Sequence, residues 1–359
     1  MAEARAQMAE IDVKVHYQPK ACRPIMDSSL IHQVQTMQTT TVQALPTSSA
    51  SIKNLPVNLF GSVMGIAGLA LAWRGAAHLF GSSSRIADGI GILSLLVFGL
   101  LGVAYLLKLA NFPDAVKAEF SHPVAGNFFG TVTIAILLLS GVVAPWSAAL
   151  QHMVWAVGAV ATLALSYVVV SRVMKGNITA ANVVPAWLIP GVASLDIAVT
   201  GGAWSHEVNM LALGIGTAIA IVFYVLIFSR LVHGDPLPVG MVPSLMVMIA
   251  PFEVGFLAYV NVTQHIDMFA AMLFYFGLFM FLVLAPRVFR RSVPFAPSWW
   301  AISFPIAALV NAALKYAAVA ERAPVVLLAG VLLAFLTVVI AVLLLRTLYS
   351  LYTGKLLAG

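Results

Sequence analysis

Beyond about residue 55 the chain resolves into long apolar runs separated by short polar, glycine- or proline-containing breakers. Crossing the hydrocarbon layer takes about 20 predominantly apolar residues per helix. Ten runs meet that need. The first five lie near 57–74, 86–108, 126–144, 147–171 and 182–201; the second five lie near 207–231, 240–262, 267–285, 298–318 and 324–350. The odd-numbered runs begin near 57, 126, 182, 240 and 298, a recurrence of about 55 to 70 residues that suggests five helical hairpins. The pattern therefore predicts an all-α integral membrane protein of ten transmembrane helices over residues 55–359. Residues 1–54 read differently. They mix Lys14, Lys20 and Arg23 with Glu10, Asp12 and Asp27, then pass into the polar run from Gln33 to Ser51. That composition predicts a disordered, solubilising tail, and it lacks the apolar core of a cleavable signal peptide.

Composition strengthens this reading. Of 359 residues, 61% are hydrophobic and 9% charged, against roughly 25% charged in soluble domains. The net charge of +6 is carried by lysines and arginines strung singly between apolar runs, which argues against a nucleic-acid partner and for topology signals. One set of loops and the C-terminal end hold Lys108, Lys117, Arg172, Lys175, Arg230, Arg287, Arg290, Arg291, Arg346 and Lys355; the opposite face holds Arg74, Arg85, Lys315 and Arg322. Retained basic residues mark the cytoplasmic side, so the expectation is a multi-pass protein of the cell membrane with both termini in the cytoplasm. The single cysteine, Cys22, precludes an internal disulfide or a multi-thiolate metal site. His122 and His152 are too scattered for a metal. No nucleotide-binding loop or activated nucleophile is recognisable, so no cofactor and no enzymatic activity are expected.

Prolines inside spans carry the most information. Pro190, Pro251 and Pro305 fall within spans five, seven and nine, whereas even-numbered spans have proline only near their ends. Each proline lacks the N–H that would bond the carbonyl four residues back, which leaves those of Ala186, Val247 and Ala301 without that partner. Lipid cannot satisfy them, so such breaks belong where protein or a water-filled cavity covers them. The simplest arrangement puts odd helices inside and even helices outside. In spans one and three, Gly61, Gly65, Gly68, Gly126 and Gly130 permit bending or close approach. Phe304, just before Pro305, could close a narrow path by excluding water, although spacing alone does not distinguish it from packing. Asp196, Glu253 and Lys315 are ionisable groups within spans, each expensive there and so a candidate pore or coupling group. Lys315 falls near the outer mouth, where it either attracts anions or pairs with a carboxylate. Glu253 either faces away from the axis or is protonated or paired; a proton-coupled carrier would use it directly. Trp299 and Trp300 read as an interfacial anchor.

The stretch Ala118, Glu119, Phe120, Ser121, His122, Pro123, Val124 resembles the segment before the third helix of bacterial tellurite-resistance proteins. Trp299, Trp300, Ala301, Ile302, Ser303, Phe304, Pro305, followed by Lys315 and Tyr316, is similar to the ninth helix of plant slow-type anion channels. Leu55, Pro56, the run from Gly61 to Trp73 and the pair Ala250, Pro251 fit the same TehA/SLAC family, over about residues 57–355. The resemblance implies a homotrimer in which each protomer has its own pore, lined by the five odd helices in quasi-five-fold symmetry and closed by a phenylalanine, by position Phe304. It also implies passage of small monovalent anions such as chloride and nitrate, while other relatives carry tellurite, malate or related dicarboxylates. Met64 (or Val63) and Thr133 stand where bacterial relatives have prolines, so milder kinks are expected there. The resulting expectation is a passive anion channel in membrane lipid; the alternative is a proton-coupled carrier of dicarboxylates or tellurite using Glu253 or Asp196.

Overall fold

The computed structural model describes residues 51–176 and 179–357. Most of the expected tail, residues 1–50, lies outside the described residues. Its last part, Ile52–Asn54, is a single 3-10 turn. This turn is fastened to the other end of the chain: the Ser51 N–H donates to the Leu357 carbonyl at 3.2 Å, and Asn54 Nδ2 donates to the same oxygen at 3.1 Å.

Eleven α-helices follow: α1 Gly61–Phe80, α2 Ser84–Asn111, α3 Pro113–Ser121, α4 Phe129–Val143, α5 Ala148–Met174, α6 Leu188–Thr200, α7 His206–His233, α8 Ala250–Thr263, α9 Met268–Val288, α10 Ser303–Ala320 and α11 Ala323–Tyr352. Among the described residues, nine helical segments are long and apolar enough to cross a membrane, and the expected fifth span is the shorter apolar Pro185–Thr200. The short α3 was not expected. Proline at its first position supplies a ready-set φ and an N–H that no helix bond requires.

Burial separates the helices into two sets. The most apolar stretches of the segments ending in α1, α4, α8 and α10 are 67 to 78% buried, whereas those of α2, α5, α7, α9 and α11 are 11 to 39% buried. Every residue of α6 from Leu188 to Ala198 is buried. The contacts of the buried set close on themselves: α1 packs on α4, α4 on α6, α6 on α8, α8 on α10, and α10 back on α1. Each of these also packs against the exposed helix that follows it.

Small residues make the closure possible, because between helices in lipid close backbone approach replaces the hydrophobic effect as the source of cohesion. A Cβ added to Gly65 would lie 2.5 Å from Ser303 Cβ, one on Gly68 2.6 Å from Ala307 Cβ, and one on Gly130 2.7 Å from Ile189 Cγ2. These glycines thus serve close approach between ring neighbours. Gly126 does so elsewhere, against the Phe120 carbonyl.

The breaks take a different form from the expected mid-span kinks. Each buried helix is preceded by a 3-10 segment: Val57–Phe60, Ala125–Phe128, Pro185–Trp187, Val239–Ile249 and Pro297–Ile302. Pro190, Pro251 and Pro305 sit within the first three residues of α6, α8 and α10, where a missing N–H costs no α-helical bond. The carbonyl of Val247 is not left free, since it accepts the Ala250 N–H, and that of Ala186 accepts the Leu188 N–H. The same change of helix type occurs ahead of α1 and α4 without an interior proline, so Met64 and Thr133 do not weaken the pattern. Trp300 corrects another expectation. It is 1% exposed, packs against Gly61 and donates from Nε1 to Thr347 Oγ1 at 2.9 Å, so it is core and not an interfacial anchor.

Lys108, counted above as a topology signal, is buried in an ion pair with Glu119 at 2.6 Å. Lys108 Nζ also donates to the Leu55 carbonyl, Glu119 Oε1 accepts the Val57 N–H, and Glu119 Oε2 accepts from Tyr105. The cluster ties α2 and α3 to the lead-in of α1.

Gly68→Val should strain the α1–α10 seam by about 1–3 kcal/mol, the usual cost of overpacking, and lower the thermal unfolding midpoint in detergent by several degrees. Gly99→Val, at an exposed position with open space around it, should leave the midpoint unchanged. Equal midpoints for the two variants would contradict a closed ring.

Candidate functional site

Two cavities lie inside the ring, and each is lined by all five buried segments. The smaller, about 30 Å³, is bounded by Asn58, Met64, Phe128, Thr131, Ile189, Val192, Val247, Ala250, Ala301 and Phe304. The larger, about 320 Å³, is bounded by Gly68, His78, Leu138, Asp196, Val199, Val254, Leu257, Ala307, Asn311 and Lys315, and again by Phe304. Phe304 is the one residue common to both walls. It is 7% exposed. The smaller chamber exceeds the roughly 10–15 Å³ that admits a single water, and the larger exceeds it many times over.

A repeating register places these walls. Ile189, Ala250 and Phe304 each immediately precede a ring proline, and all three line the smaller chamber. Asp196, Leu257 and Asn311 each lie seven residues further on, two helical turns along the same face, and all three line the larger chamber. The prolines themselves do not converge on the axis. Only Pro305 borders a chamber; the Pro190 carbonyl accepts from Ser166 Oγ and Ser194 Oγ at 3.2 and 3.3 Å, and Pro251 faces a groove walled by α7 and α9. At the position before each proline stand isoleucine, alanine and phenylalanine, so the largest side chain falls on α10.

The ionisable candidates separate as well. Asp196 lines the larger chamber at 1% exposure, and its Oδ2 has no hydrogen-bond partner among the described residues. Lys315 is an exposed wall residue of the same chamber and makes no ion pair among the described residues. Glu253 is elsewhere. It is fully buried, borders neither chamber, and fits against α9 only because Gly277 has no side chain to overlap its carboxyl group. Neither of its oxygens has a partner among the described residues.

Sequence reading missed His78 and Asn311. Asn311 donates to the Gly68 and Ala307 carbonyls at 3.0 and 2.8 Å, joining α10 to α1 at the chamber wall. Its signal was the seven-residue step from Phe304. His78 gave none, since only the ring closure carries the end of α1 to the wall.

No group in either chamber forms an acid–base pair or a metal cage; the walls are apolar, with one ammonium, one carboxyl, one imidazole and a few amides and hydroxyls.

The family described as voltage-dependent anion channel matches residues 54–348. The chain is 26% identical over 302 residues to the S-type anion channel SLAH3 of Arabidopsis thaliana, an alignment covering 81% of this chain and 48% of the relative. It is 26% identical over 308 residues to a tellurite resistance protein TehA homolog of Haemophilus influenzae, covering 84% of this chain and 92% of the relative. The guard cell S-type anion channel SLAC1 of Arabidopsis thaliana is 24% identical over 316 residues, covering 84% of this chain and 57% of the relative. The chain thus spans about half the length of these plant relatives and nearly all of the bacterial one.

The chamber charge should show in flux. In reconstituted vesicles, Lys315→Gln should lower anion flux by about two- to fivefold at ~10 mM salt and with little effect near ~1 M, where the screening length falls to about 3 Å. A salt-independent effect, or none, would show that this charge does not face the permeating ion.

Proposed function

Because this chain belongs to the voltage-dependent anion channel family, we propose that it is a passive channel for small monovalent anions such as chloride and nitrate. The path runs along the axis of the five buried segments, and Phe304 is its gate. One observation carries this reading: a single aromatic side chain forms the wall shared by two otherwise separate chambers. An apolar constriction of that kind closes by excluding water, without a plug or a tight binding site.

The ten spans form five hairpins in quasi-five-fold order, a reading supported by the closed contact sequence of α1, α4, α6, α8 and α10 and by the exposed helix packed behind each. Selectivity comes from width and from a mildly positive larger chamber. Weak wall ligands suit conduction, which requires release as much as binding. The smaller chamber opens toward the cytoplasm, together with both termini, on the strength of the basic residues gathered at that end of the helices. As in the family resemblance, the assembly is a homotrimer with one path per protomer.

A proton-coupled carrier of dicarboxylates or tellurite is the second reading, and Asp196 is the observation that favours it, as a buried chamber carboxyl with an unpartnered oxygen. Glu253 serves that reading poorly from behind the ring.

Phe304→Ala should raise anion conductance in planar bilayers by about tenfold or more, the effect of lowering a barrier by about 1.4 kcal/mol; unchanged conductance in well-folded protein would remove Phe304 from the gate. Reversal potentials measured under a pH gradient distinguish the two readings. A channel follows the anion gradient alone, in wild type and in Asp196→Asn and Glu253→Gln alike. A proton-dependent shift, abolished by Asp196→Asn, would establish the carrier.

A further inference from the structure

Beside the ring, the structure holds a third polar cavity of about 300 Å³, between the lead-ins to α4 and α6 and the last turn of α5. It shares no lining residue with either chamber. Its polar walls are Ser121, His122, Asn127, Arg172 and Trp187, with no acidic residue among them.

The groups present are hydrogen-bond donors looking for an acceptor. Trp187 is 4% exposed and closes the inner end of the wall with its ring, its indole nitrogen being turned away from the cavity. His122 Nδ1 accepts the backbone N–H groups of Val124 and Ala125, both at 3.1 Å. That fixes the tautomer with the proton on Nε2, which therefore donates. The Arg172 guanidinium gives one hydrogen bond, from Nη1 to the Phe120 carbonyl at 2.7 Å, and stacks on the Phe120 ring at 4.2 Å. Held in this way, it keeps its remaining donors for a ligand. Gly126 belongs to the construction, since a Cβ there would lie 2.5 Å from the Phe120 oxygen and 3.3 Å from Arg172 Nη1.

From this geometry we infer that the cavity is a binding site for a phosphate-type oxyanion, distinct from the permeation path. A planar guanidinium and an imidazole N–H without a competing carboxylate match a multi-oxygen anion. Two sources share that chemistry, the phosphodiester of an anionic phospholipid and free inorganic phosphate. The outward face of α5 is apolar and exposed at Tyr167 and Met174, which places acyl chains within reach of the same site.

The test uses the full chain purified in detergent. Inorganic phosphate is titrated by calorimetry, and in a separate arm the protein is passed through vesicles of phosphatidylcholine with or without phosphatidylglycerol and its retained phospholipid is measured by mass spectrometry. Arg172→Gln keeps a donor for the Phe120 carbonyl but removes the charge; His122→Asn keeps a side-chain acceptor for the Val124 and Ala125 N–H groups and removes the Nε2 donor. Arg172→Gln should weaken binding at least about tenfold, and His122→Asn by about threefold or more, the scale of one lost hydrogen bond to a charged group. Saturable phosphate binding identifies the free ion as the source, and retention of phosphatidylglycerol without phosphate binding identifies the lipid headgroup. Absence of binding in both arms, or binding that neither substitution alters, overturns the site.

Discussion

Hydrocarbon offers a peptide group nothing to bond to, and the rest of this structure depends on that constraint. Any departure from regular α-helix has to be enclosed by protein or by a wet cavity. Each of the five buried helices is preceded by such a departure, a 3-10 lead-in, and the five helices pack against one another in a closed order. The exposed helices behind them hold most of the lipid-facing apolar surface. Enclosing the breaks and enclosing the two axial chambers are thus the same structural act.

Ring closure then decides what fills the axis. Glycine and alanine at the seams bring the helices close, and the register before each proline brings Ile189, Ala250 and Phe304 to one level. A symmetric set of large side chains would fill that level completely. Here only α10 contributes an aromatic at that position, and that one side chain stands between the two chambers. A small chamber on one side of it and a larger one carrying Lys315 and Asp196 on the other give the axis a polarity that the repeat itself lacks.

How much of this was legible in the sequence varied with the kind of information each residue carries. Helix positions and the inner set could be read, because apolar run length and proline placement are properties of the chain taken alone. Side-chain direction could not. Glu253 and Asp196 look alike as carboxyl groups in apolar spans, yet one turns toward Gly277 of α9 and the other toward the chamber. Only the partner helices distinguish them. Trp300 misled for a similar reason, since a tryptophan beside arginines resembles an interfacial anchor until Thr347 and Gly61 are known to meet it. Lys108 counted as a loop charge because Glu119 lies on a separate short helix that apolar runs do not reveal. Asn311 was within reach, at a fixed step from Phe304. The prolines fall in the first turns of three of the five buried helices instead of at mid-span, and the residue before each lines the smaller chamber.

The bond from Ser51 to Leu357 has a topological meaning. With α10 lying against α1 and the described chain tied head to tail, the fold is closed in sequence as well as in space. The first buried helix is thereby packed against the last. A circularly permuted chain, with residue 51 joined to residue 357 through a linker and new termini cut in the exposed Gly81–Ser83 turn, would retain every ring contact. The covalent ends of the described chain and the packing of its ring are then separable features.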